Sequence, residues 1–172
     1  MSDDGPARSP ESASEPFSPA NRRRLSAPGL RTFLAIADLW GLTEPQRRLV
    51  LGNPSLGTCR RWVRIARAGG VLTLNVDVLT RISAVLGIHK ALGILFKTEA
   101  EGIGWLRGPH KATVFGGQPP LSLIANGDKD SLLNVRRFLD AACTGLYRPP
   151  NDIDRGFQPY TDAQIVGGGL GD

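Results

Sequence analysis

The sequence predicts an all-α fold: a helix-turn-helix module, then a small helical module, with disordered N- and C-terminal arms. Three observations predict it. Apolar residues in the middle of the chain recur at three- and four-residue spacing. These runs are cut by glycine, proline and Asn-Pro breaks that stand beside helix-capping residues. In the stretch 109–118, strand-like Thr113, Val114 and Phe115 are followed at once by Gly116 and Gly117, which marks no more than a short extended segment or turn.

The elements follow in order. A first helix is expected over residues 30–40, with Leu30, Phe33, Leu34 and Ala37 on one face and Gly41 as its stop. Thr43 caps a second, its hydroxyl meeting the amides while Gln46 reaches back, and Glu44 and Pro45 suit the first turn. That helix ends at Gly52. Asn53 and Pro54 make the turn, Ser55 caps a third helix carrying Thr58 to Arg67, and Gly69 and Gly70 end it.

Asn75 or Asp77 then starts a long apolar helix through Val78, Ile82, Val85 and Leu86 toward Phe96, which Gly87 and Gly93 bend or interrupt. A short helix over residues 100–107 precedes an extended segment or turn over 109–118. Pro119 and Pro120 open a brief helix through Ile124, stopped by Gly127. Asp130 caps the last helix, which runs to Thr144 and buries Leu132, Val135, Phe138, Leu139 and Ala142.

Composition sets the bounds around these elements. With 172 residues, 41% of them hydrophobic, the chain holds one ordinary domain or two small ones with a real core. Residues 1–26, rich in Ser, Pro and acids, carry only Phe17 and Leu25 as large apolar residues and are expected as a disordered arm, because so little apolar surface does not offset the entropy of ordering. Residues 27–70 form the expected helix-turn-helix module, 71–149 the second helical module, and 150–172 a flexible tail.

Cys59 and Cys143 stand far apart with no His or Cys at metal-ligand spacing, so neither a disulfide scaffold nor a zinc site is expected, and a reducing cytoplasm fits. The N-terminus lacks the apolar stretch of a secretory signal or membrane-spanning helix. The net charge of +5 is local: Arg22, Arg23, Arg24, Arg31, Arg47, Arg48, Arg60, Arg61, Arg64 and Arg67 face only Asp38 and Glu44. A basic field confined to one segment is the footprint of a polyanion-binding module, since phosphate neutralisation with counterion release drives non-specific nucleic-acid affinity.

Residues 43–67 thus have the layout of a DNA-reading helix-turn-helix. On its second helix Cys59, Trp62, Val63 and Ala66 share the buried stripe, while Arg60, Arg64 and Arg67 project from another side with Arg61 beside them. In that geometry Ser55, Gly57, Thr58 and Arg61 approach base edges, and the remaining arginines meet phosphates. A surface helix with a solvated cationic face fits the same residues. Arg22, Arg23 and Arg24 fit either a minor-groove arm or a basic linker.

In the second module, Trp105 between Ile103 and Leu106 reads as core. The glycine-rich loop 108–118 has little local packing to account for His110 and Phe115, and loops commonly carry binding residues, so both are candidates for partner contact. In the tail, Phe157 and Tyr160, with Ile153 and Ile165, are apolar anchors among aspartates and glycines, the pattern of a segment that orders on a partner.

No catalytic constellation emerges. Phosphate-binding glycine loops are missing, and an Asp140–His110 pair would lack both a nucleophile and an oxyanion site. The chain is expected not to be an enzyme and to need no cofactor or metal.

Several segments carry a family resemblance: Arg60-Arg61-Trp62 after Pro54-Ser55, Leu79-Thr80-Arg81-Ile82-Ser83, Leu86-Gly87-Ile88-His89-Lys90-Ala91-Leu92, Trp105-Leu106-Arg107-Gly108-Pro109, Phe115-Gly116-Gly117-Gln118-Pro119-Pro120-Leu121 and Val135-Arg136-Arg137-Phe138-Leu139-Asp140. In that order they resemble the Xre/MbcA/ParS antitoxins over about residues 30–148. The resemblance implies an Xre-like helix-turn-helix, then a toxin-binding domain whose partner is a RES-domain toxin that consumes NAD or uses it to modify a target. It also implies a non-catalytic antitoxin, several copies of each chain per complex, and repression of the shared promoter. The residues alone leave a second reading open, a stand-alone repressor whose C-terminal module dimerises.

Overall fold

The computed structural model describes residues 17–145, which form seven α-helices: α1 Pro19–Leu39, α2 Glu44–Val50, α3 Leu56–Arg67, α4 Val76–Leu95, α5 Glu99–Arg107, α6 Pro120–Ala125 and α7 Lys129–Cys143. The all-α expectation is met among the described residues, and residues 109–118 are a run of bends and turns.

α4 is the central element, packed most extensively against α7 and then α1. Its length and mean hydropathy of 1.5 would suit a membrane span, but half of it is buried within the fold, which accounts for its apolarity. Val85 and Ile88 are fully buried there, beside Leu30 and Phe33 of α1 and Val135 of α7 in one hydrophobic cluster. Each such side chain contributes about 1.5–3 kcal/mol. The cluster takes in helices on both sides of residue 70, which lies in the loop between α3 and α4.

α1 differs most from expectation, beginning at Pro19 instead of residue 30. The Ser18 hydroxyl accepts from the Asn21 amide at 3.4 Å, and Pro19 occupies the first turn, where its missing N–H costs nothing. Ser26, fully buried, donates to the Arg22 carbonyl at 2.6 Å and accepts from the Leu74 amide at 2.9 Å, tying this half of α1 to the segment before α4. Residues 17–26 are therefore not part of a disordered arm, and Arg22, Arg23 and Arg24 ride on a packed helix instead of a linker or a groove-entering arm.

The capping signals place the later elements. Thr43 and Gln46 form the reciprocal capping box, and Asn75 caps α4 by accepting from the Val78 amide at 2.8 Å. A second capping box, Thr98 with Glu101, starts α5. α7 is capped by Asp128 and not by Asp130: its Oδ2 accepts from the Ser131 amide at 2.8 Å and the Ser131 hydroxyl at 2.6 Å. These bonds lower the Asp128 pKa. Gly87 and Gly93 lie within an unbroken α4.

Candidate functional site

Two surfaces gather the residues of interest. The first is α2, its turn and α3. Gly52 and Asn53 take left-handed backbone conformations, φ 90° and 57°, which turn the chain sharply between the helices. Arg48 staples this turn, its Nε donating to the Pro54 carbonyl at 3.0 Å and its Nη2 to Asn53 Oδ1 at 3.3 Å. Ser55 caps α3, accepting from the Thr58 amide at 3.2 Å while its hydroxyl donates to Thr58 Oγ1 at 2.9 Å. At the far end, Arg31 of α1 donates to the Ala66 carbonyl at 2.9 Å.

Cys59 and Ala66 hold α3 against the core. Trp62 and Val63, expected in the same buried stripe, are only partly covered, and the cleft between α1, α2 and α3 stays open beside Val63. Burial pushes the Cys59 thiol above its usual pKa despite nearby Arg48, so it remains an uncharged packing group. Arg60, Arg61, Arg64 and Arg67 are exposed. Arg60 lies 3.5 Å from Glu44, whereas Arg61, Arg64 and Arg67 have no acidic partner among the described residues. Three unneutralised guanidiniums on one short helix present a surface for anions.

The second surface is built on an aromatic cluster where α5, the 109–118 segment and α7 meet. Trp105 lies 4.6 Å from the His110 ring and 5.7 Å from Phe115, and Phe115 meets Phe138 edge-on at 4.8 Å. His110 Nε2 stands 2.7 Å from the Trp105 carbonyl, which can only accept, so this ring nitrogen donates. The Gly117 amide returns to the His110 carbonyl at 3.1 Å, closing the segment on itself.

Phe115 is therefore not a surface group. It is 2% exposed and packs against Trp105, His110 and Phe138, while His110 is half-buried beside it. Its neighbour Val114 points outward instead, at 37% exposure, and borders a shallow depression of about 230 Å³ with Asn134, Arg137 and Phe138. The loop was legible as special, but irregular turns have no period from which to read which residue faces out. Phe157 and Tyr160 lie outside the described residues.

Asp77 links the two surfaces. Its Oδ1 accepts from Lys129 Nζ of α7 at 2.7 Å and its Oδ2 from Arg81 Nε at 2.8 Å, while Arg81 Nη1 donates to the Gly127 carbonyl at 3.0 Å. The Lys129 and Arg81 bonds hold the Asp77 carboxyl below its usual pKa against a smaller desolvation effect. The same guanidinium reaches the Val50 carbonyl at 3.5 Å, so the end of α2 and the starts of α4 and α7 share one polar joint.

Residues 91–143 match the antitoxin Xre/MbcA/ParS C-terminal toxin-binding domain. The chain belongs to the Xre/MbcA/ParS antitoxin family. The matched span begins in the last turns of α4 and ends with α7, so it contains the whole aromatic cluster and the Val114 depression. The chain is also 37% identical over 112 residues to the uncharacterized protein y4oB of Sinorhizobium fredii, covering 65% of this chain and 81% of the relative. No solved structure matches.

Proposed function

We propose that this antitoxin is half of a type II toxin–antitoxin pair: it occludes a RES-domain toxin that consumes NAD or ADP-ribosylates a target, and it binds the promoter of its own operon. The observation that carries the toxin half is the toxin-binding-domain match over residues 91–143. The RES-type partner rests on the resemblance of the ordered motifs from Pro54 to Asp140. Covering a partner's cleft with an interface of roughly 1,200–2,000 Å² inhibits stoichiometrically and asks no chemistry of the inhibitor.

Within the matched span, Val114, Arg137 and the exposed edge of Phe138 are the proposed toxin-facing residues, with His110 and buried Phe115 shaping that surface from behind. Phe157 and Tyr160 are proposed to follow the same partner from the tail. The DNA half rests on Arg61, Arg64 and Arg67, whose charges are unneutralised on a helix entered by a tight turn. Arg60, Arg64 and Arg67 are assigned to phosphates, and Arg61 with Ser55 and Thr58 to base edges. Because the two hydroxyls already bond each other, Arg61 is the principal reader.

Co-expressing the tagged chain with the untagged protein of the neighbouring reading frame tests this. Copurification of a RES-domain partner, and retention of promoter DNA by that complex over a scrambled duplex, is the expected result. Partner capture without promoter preference would leave a toxin inhibitor whose α3 serves packing.

A further inference from the structure

The cleft between α1, α2 and α3 has a volume of about 750 Å³. Leu34, Leu51 and Val63 give it an apolar floor, and Arg60, Arg64 and Arg67 line its rim. The two acids beside it are already engaged, Glu44 at 3.5 Å from Arg60 and Asp38 at 2.7 Å from Arg47. That leaves Arg64 and Arg67 over an apolar floor, which suits an acidic segment with small apolar side chains.

The chain carries such a segment. Residues 1–16, outside the described residues, hold Asp3, Asp4, Glu11 and Glu15 against Arg8 alone, with Met1, Pro6, Ala7 and Pro10 among them. They join the fold beside α1, which itself lines the cleft through Leu34. From Pro19 to Leu34 is ~22 Å of helix, whereas residues 1–16 extended reach ~50 Å. The opposite charges and the sufficient reach are independent of each other.

We propose that residues 1–16 dock in the arginine-rimmed cleft as an internal polyanion mimic, covering Arg64 and Arg67 and competing with duplex DNA for α3. The competition rests on the DNA-binding reading above; the docking does not. A tether holds the segment at an effective concentration of about 1 mM, so a contact with a dissociation constant of only about 0.2 mM leaves the cleft free about a sixth of the time and weakens DNA binding about sixfold. Being electrostatic, the contact fades as salt rises.

The test compares the full wild-type chain with a full-length variant carrying Asp3→Asn, Asp4→Asn, Glu11→Gln and Glu15→Gln. In low salt, backbone amide shifts at Val63, Arg64 and Arg67 are expected to differ between the two, independently of protein concentration, and to converge in high salt. The variant is expected to bind promoter duplex about sixfold more tightly in low salt, with the gap closing as salt rises. Shift differences confined to residues 1–16 overturn the docking, even if the variant binds DNA more tightly through its altered net charge. Concentration-dependent differences assign the cleft to a second copy's segment and overturn the internal contact. Shift differences at α3 in a chain that binds no DNA in either form support the docking and remove the DNA reading; equal DNA affinities with unchanged α3 shifts do the reverse.

Discussion

Arg136 of α7 lies across the backbone of Gly87 in α4, its guanidinium filling the space a Cβ would take there. From that position its Nε donates to both Asp140 oxygens, at 2.8 and 2.7 Å, and its Nη1 to the Ser83 carbonyl at 3.2 Å. Gly87 is thus not a helix interruption but the gap through which α7 reaches α4.

Because the overlapping atoms are the far end of a flexible side chain, Gly87→Ala is expected to displace Arg136 more than to unfold the protein. The gain of about 1 kcal/mol in helix propensity offsets a partly exposed ion pair and one hydrogen bond. The informative quantity is the coupling. Arg136→Ala should cost about 1 kcal/mol in the wild type and close to nothing in the Gly87→Ala background, measured as a double-mutant cycle by urea denaturation. Equal costs in both backgrounds would show that the guanidinium does not depend on the glycine.

Ser26→Ala tests the extended α1. Ser26 is fully buried and makes two hydrogen bonds, so removing its hydroxyl strands the Leu74 amide and is expected to cost about 1–3 kcal/mol. A serine in an unstructured arm would cost nothing when replaced.

The Asp77 joint predicts acid sensitivity. Its folded pKa is lowered by Lys129 and Arg81, so the unfolded chain binds the proton more readily and stability decreases as the pH is lowered. The contribution is complete above the ordinary carboxylate value of about 4 and is lost as pH falls through the depressed one. Asp77 is partly exposed, so Asp77→Asn is expected to cost only about 1–2 kcal/mol at neutral pH. Denaturation across a pH series should show wild type and variant converging in acid. A constant gap would place the effect in packing rather than in charge.

What was legible in the sequence is local. The Thr43–Gln46 box and the Ser55 and Asn75 caps are three-residue patterns, and the apolar spacing of α7 exposes its packed face, whereas α4 is apolar nearly all round and was legible only as a long apolar helix. The start of α1 was hidden because residues 1–26 are rich in Ser, Pro and acids with only Phe17 and Leu25 as large apolar residues, whereas the Ser26–Leu74 hydrogen bond that ties it down joins residues 48 apart in sequence. The Asp77–Lys129 and Gly87–Arg136 meetings are likewise long-range, and Phe115 and Val114 exchange roles in a turn with no period.

The arginines of α3 separate affinity from specificity. Arg64→Ala or Arg67→Ala is expected to weaken binding to promoter and scrambled duplexes alike and to flatten the salt dependence by about one ion. Arg61→Ala should instead lose about 1–3 kcal/mol of discrimination between them. Binding isotherms over a salt series check both, and a uniform effect of all three substitutions would leave α3 as a cationic face without base readout.

The most direct measurement is a titration of the purified neighbouring toxin with the purified antitoxin while NAD loss or ADP-ribosyl transfer is followed. Inhibition should be linear to a fixed equivalence point, as for a tight stoichiometric blocker, and Val114→Asp with Arg137→Glu should abolish it while leaving the helical fold intact. Full toxin activity at any excess of antitoxin, with no complex on a sizing column, would contradict the account.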